Sequence, residues 1–322
     1  MGVTSSVFPI RTLKTCLGSI CVHVSLKCSL EGSRMAREYY YLIAGLPDLF
    51  IDQDQKSFDL VKLKDEIKEN IHPNDYKLVE QLFLEYDNEN FQNFIFERTQ
   101  EFNPLGKFPQ DLYKEFEEHL EVFPKYIQKF YKSFKGKDEN DDEELEENDL
   151  YHTDEIEKIP EVKFQEIFYE HVKLFENRFL KEWYSFLLLF NNTLSAINCR
   201  NDDSDITPQM VGKGEFVEAL TRSQAADFGL KQEIDFLEPL LQITEQTDII
   251  ERERRLDMLK WDMADEITTF DYFNINKVLA FLVKAGIVYR WSKLDSKIGA
   301  EMFKKLVADI RKTYELPKEF EQ

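Results

Sequence analysis

This sequence predicts an all-α fold of long helices, on three observations. Glycine and proline are scarce, 11 and 10 in 322 residues, while leucine, glutamate, lysine and phenylalanine abound. Apolar residues recur at three- and four-residue spacing through most of the chain. No stretch sustains the period-two alternation and paired turns of a sheet. With 43% hydrophobic and 14% aromatic residues, the chain can bury a sizeable core, as one elongated domain or two smaller ones.

Residues 1–34 stand apart from the rest. They hold four basic residues against one acid and show neither a helical period nor a signal-peptide apolar core. They are expected to be a disordered arm or an upstream-start artefact, with Met35 as the natural start. From Ser57, a serine cap and apolar residues at 60, 63, 67 and 71 predict one helix face. Pro73 then opens a stretch whose stripe continues through Val79, Leu82, Phe83, Tyr86, Phe94 and Ile95. Pro109 and Pro124 head two further helical stretches, where a missing N–H costs little. The second of these is expected to stop at Gly136.

Residues 138–149 contain nine acids in twelve and no base. Such a run cannot bury itself, so 138–160 is predicted to be a mobile acidic linker or a docking arm for a basic partner. It divides a first helical unit, 35–137, from the remainder, 161–322. After Pro160 an apolar helical pattern runs to Asn201, as one helix of about 40 residues or two nearly collinear ones. A shorter helix follows "VGKGE" (211–215), a break is expected near Pro239, and three more helical stretches complete the chain.

A weak repeat runs through this pattern. Shifting by 103 residues aligns Phe83, Leu84, Phe91 and Phe94 with Phe186, Leu187, Leu194 and Ile197. A shift of 93 carries Phe186, Phe190 and Leu194 onto Leu279, Val283 and Ile287. The expected architecture is therefore about three pseudo-repeated helical units, the second and third within 161–322.

The net charge of −21 repels nucleic-acid phosphates and anionic lipid headgroups, which argues against both as direct partners. An acidic solvated surface explains the excess, and a basic protein partner is the alternative. The four cysteines, Cys16, Cys21, Cys28 and Cys199, form no Cys-x-x-Cys pair, and the single one in the main body suits a reducing cytoplasm. No apolar run, Phe186–Phe190 included, approaches the ~20 residues that span a bilayer.

The sequence offers no catalytic constellation. "VGKGE" lacks the first glycine and the final hydroxyl of a phosphate-binding loop, and is predicted to be a turn. Glu115 with His119, and Glu166 and Glu170 beside His171, are carboxylate–histidine neighbours, but neither has the Glu-x-x-His spacing of a di-iron bundle. Cys199 has no histidine near it in sequence and is predicted to be a packed thiol. No cofactor or metal is expected. Within "FLLLFNNTLSAINCRN" (186–201), Asn191, Ser195 and Asn198 fall at i, i+4 and i+7, a polar stripe beside an apolar face. Amides buried there would fix register where helices cross, a reading favoured over a ligand-lining face.

Three segments, "YYYLIAGLPDLF" (39–50), "FNNTLSAINCRN" (190–201) and "NKVLAFLVKAGIVYRW" (276–291), resemble a bacterial family encoded among V/A-type ATPase genes. That family in turn resembles, at a distance, the C/d-type cap on the central stalk of archaeal-type and eukaryotic enzymes. The resemblance implies a funnel of three helical units that seats on the membrane rotor ring and receives the central shaft. It implies a non-catalytic coupling subunit of an ion-transporting ATPase, cytoplasmic and peripheral at the inner membrane. The chain departs from the stalk cap at Lys284, Gly286 and Arg290 and in the acidic run. Lys284, Arg290 and Trp291 are the candidate partner contacts. The alternatives are a scaffold or assembly factor for the same ATPase, and a helical-bundle metalloenzyme using Glu166, Glu170 and His171.

Overall fold

The computed structural model describes residues 37–51, 58–135 and 158–293. The extension 1–34, the cap at Ser57, Gly136, the acidic run 138–149 and the last helical stretch, 296–316, lie outside these residues. Among the described residues there are twelve α-helices and no strand. They fall into two compact units, 90–101 with 108–135 and 158–260, and 37–89 (less 52–57) with 102–107 and 261–293. These boundaries cut across the division at 138–160 expected from the sequence, because the first helices associate with the last ones rather than with their neighbours in the chain.

The second unit contains α1 (Tyr40–Gly45), α2 (Leu60–Asn70), α3 (Pro73–Leu82), the start of α4 (Leu84–Ile95), the end of α11 (Ile249–Ile267), and α12 (Ile275–Ser292). The predicted face of α2 is buried at Leu60, Leu63, Ile67 and Ile71. Its N-terminal cap is Asp59, whose carboxylate accepts the Lys62 N–H at 3.1 Å. Pro73 occupies the first turn of α3, and His72 caps it by accepting the Asn74 N–H on Nδ1 at 3.1 Å. The stretch expected to run on from Pro73 breaks at Phe83, between α3 and α4.

Two polar side chains fix the 102–107 segment in this unit. Asp87 is fully buried and accepts the Lys107 N–H on both carboxylate oxygens, at 2.8 and 3.0 Å. The Lys64 ammonium donates to the Leu105 carbonyl at 2.5 Å and lies 4.5 Å from the Phe83 ring. Burial pushes that ammonium below the ordinary lysine range. Helix α12 packs on α2 and α3, and Val278, Leu279, Leu282 and Ala285 are among its buried residues. At Gly286 a Cβ would stand 2.9 Å from the Tyr86 hydroxyl, so any larger residue there would force that side chain to shift.

The first unit is built on aromatic packing. It contains α5 (Gln110–Lys114), α6 (Lys125–Lys135), α7 (Pro160–Val172), α8 (Arg178–Asn201), α9 (Glu215–Arg222) and α10 (Leu237–Thr244), with the rest of α4 and α11. Phe91 is fully buried, with ring centroids of Phe116, Phe164 and Phe130 at 5.4, 5.3 and 6.0 Å. The long pattern from Pro160 to Asn201 is two helices, because "KLFEN" breaks it and the Asn177 side chain caps α8 by accepting the Leu180 N–H at 3.0 Å. Helix α8 touches α7, α9 and α10. Pro239 does not break its helix as expected: it stands in the first turn of α10, where its missing N–H has no partner to lose. "VGKGE" is the turn before α9, with Gly212 and Gly214 at φ of 87° and 115°.

Candidate interaction surface

The residues of the asparagine stripe do not share one environment. Asn191 and Asn198 are exposed and Ser195 is half-buried. The amide that holds α8 against another segment is Asn192, which is 2% exposed. Its Nδ2 donates to the Val211 carbonyl at 2.9 Å, and its Oδ1 accepts the Val211 N–H at 3.0 Å. The register-fixing role expected of Asn191 and Asn198 thus sits one residue along. Because α8 packs on three helices its buried arc is broad, taking in Asn192 and Thr193, and the Thr193 hydroxyl satisfies itself on the Leu189 carbonyl at 2.7 Å.

Glu166 serves the same loop. One of its oxygens accepts the Gly212 N–H at 3.0 Å and pairs with the Lys158 ammonium, which also donates to the Met210 carbonyl at 3.1 Å. Glu170 pairs instead with Lys173 at 2.5 Å. His171 stacks on Tyr126, centroids 4.8 Å apart, and burial holds its pKa below the ordinary value of 6.5. Glu115 and His119 form a surface pair at 3.5 Å. These carboxylates and imidazoles do not converge, and among the described residues no three His, Cys, Asp or Glu side chains gather as metal ligands would. Cys199 is a buried free thiol.

Of the three candidate partner contacts, Lys284 is engaged within its own unit. Its ammonium donates to Asp265 at 2.8 Å and lies 5.1 Å from the Trp261 ring. Arg290 is exposed, its guanidinium 6.0 Å from the half-buried Trp291 ring.

A different surface emerges where the opening motif meets the α11–α12 turn. The Tyr39 N–H donates to the Phe273 carbonyl at 2.5 Å, and the Tyr40 ring lies 4.5 Å from that of Phe273. The Tyr39 hydroxyl donates to Asp75, which also takes the Arg37 guanidinium at 3.4 Å. Burial, reinforced by that carboxylate, pushes the phenol up to about 12. Around this anchor the polarity of the turn is inverted. Asp271 is only 9% exposed, accepting from the side-chain amides of Asn274 at 2.5 Å and Asn276 at 3.4 Å. The residues on either side, Phe270 and Tyr272, are 75% and 67% exposed, and Tyr41 is 97% exposed. Periodicity could not find this surface, since it depends on which way an irregular turn faces. The sequence signal is the run of aromatics in "TTFDYFN" and "YYY".

The family described as protein of unknown function (DUF2764) matches residues 35–314. The chain belongs to that family. The match begins at the residue where dense patterning starts and takes in all three segments that carry the resemblance. No curated protein and no solved structure matches the chain. No described helix is long and apolar enough to cross a membrane.

Proposed function

We propose that the chain is a non-catalytic coupling subunit of a bacterial V/A-type ATPase, a socket between the central shaft and the membrane rotor ring. The observation that carries this reading is the meeting of two of the three resemblance-bearing segments. The opening motif, 39–50, is tied by the Tyr39–Phe273 backbone bond to the turn that leads into 276–291. Segments 234 residues apart in sequence, Tyr39 to Phe273, thus form one body and present aromatic side chains outward. Such a joint transmits torque by shape and packing, so it calls for side chains held in place rather than reactive ones. The fold class agrees with the all-helical stalk cap, and the protein would sit on the cytoplasmic side of the inner membrane through its partners.

Purification of the ATPase through a tagged shaft or rotor-ring subunit tests the reading. This chain should co-purify at fixed stoichiometry with the mature enzyme. Its presence only in incomplete complexes would make it an assembly factor, and its absence from an intact, active complex would overturn both readings.

A further inference from the structure

The aromatic surface of the second unit has properties that specify its occupant. Tyr40, Tyr41, Phe270, Tyr272 and Phe273 are all at least 40% exposed. Folding leaves these rings in water although burying apolar surface is favourable. At the same time it buries the Asp271 carboxylate between two of them, where side-chain amides satisfy it. The turn is also held in place before any partner arrives. Asp271 accepts from Asn274 and Asn276, the Thr268 hydroxyl donates to the Ala264 carbonyl at 2.8 Å, and the Tyr39 N–H closes on Phe273. Little ordering entropy remains to be lost on docking.

Charge selects among occupants. The exposed acids in the two segments are Glu38, which accepts the Tyr40 hydroxyl, Asp48, Asp262 and Glu266, while Arg37, the exposed base beside the tyrosines, is committed to Asp75. A second copy of a chain carrying −21 would be repelled, as would an anionic membrane or a nucleic acid. We propose that this surface docks a Lys/Arg-rich, aliphatic segment of a partner protein. Its aliphatic side chains would cover the rings, and its cations would lie over ring faces and beside Glu38. The inference rests on this surface alone, so it stands or falls separately from the ATPase reading.

The test uses the full chain and two synthetic 18-residue amphipathic peptides, one of leucine and lysine and one of leucine and glutamate, with binding followed by fluorescence polarisation. The Leu/Lys peptide should bind and the Leu/Glu peptide should not. Tyr41→Ser/Phe270→Ser/Tyr272→Ser keeps every charge and removes three exposed rings, and should weaken binding at least about tenfold. Leu174→Ser, at an exposed site in the other unit, should leave it unchanged. Circular dichroism and an unchanged melting midpoint establish that each variant folds. Equal binding by the triple variant would overturn the proposal, because the peptide would then be held by charge elsewhere. So would equal binding of the Leu/Glu peptide, dimerisation of the wild-type chain that the triple variant abolishes, or ring-dependent binding to phosphatidylserine vesicles.

Discussion

Replacing Asn192 by alanine isolates the bond between α8 and the loop before α9. The side chain is 2% exposed and makes two hydrogen bonds to the Val211 backbone, at 2.9 and 3.0 Å. Each such bond contributes about 1 kcal/mol net, giving a loss of about 2 kcal/mol. Val211 is half-buried, so water recovers part of the pairing and holds the cost near that figure rather than at the full desolvation penalty of two stranded groups. Asn191→Ala, on the exposed side of the same turn, should change stability by less than about 0.5 kcal/mol. Urea unfolding can be followed by the fluorescence of Trp183, which is buried in the same helix. Hydrogen exchange at the Val211 amide reports the bond directly and should accelerate only in Asn192→Ala. Equal losses in the two variants, or an unchanged Val211 exchange rate, would refute the assignment.

Other outcomes follow from the same geometry. Phe91→Ala empties a site ringed by Phe116, Phe130 and Phe164 and should cost about 3–5 kcal/mol in the same urea assay. Gly286→Ala forces a Cβ against the Tyr86 hydroxyl and should cost about 1–3 kcal/mol; Tyr86→Phe in that background removes the clashing oxygen and should recover part of the loss. A neutral Gly286→Ala would show that the two helices are not in such close contact. His171 has a folded pKa depressed by burial, so the unfolded chain takes up the proton first as pH falls. Its contribution is therefore complete above about pH 6.5 and is lost below it, down through the lower folded value. His171→Phe should flatten the stability–pH curve in that window, and an unchanged slope would contradict the burial of the imidazole.

Helix positions and inward faces were legible because they depend on local spacing and capping. The face at Leu60, Leu63, Ile67 and Ile71, the prolines at the heads of α3 and α7, and the turn at "VGKGE" all follow from residues within one or two turns of each other. The departures share a cause. Pro239 marks a break only when it lies inside a helix, and its place in the first turn was set by where α10 begins. The choice between Asn191 and Asn192 turned on about 100° of helix rotation and on a loop 19 residues away.

Sequence by itself determined that the chain is helical, which side chains line most of its helices, and where its patterned body begins. Only the tertiary structure decided that the first helices join the last in one unit, that Asn192 rather than its neighbours holds α8, and that Phe270 and Tyr272 face outward around a buried Asp271. Periodicity records how residues sit on one element, whereas these outcomes depend on a second element whose approach no local spacing encodes.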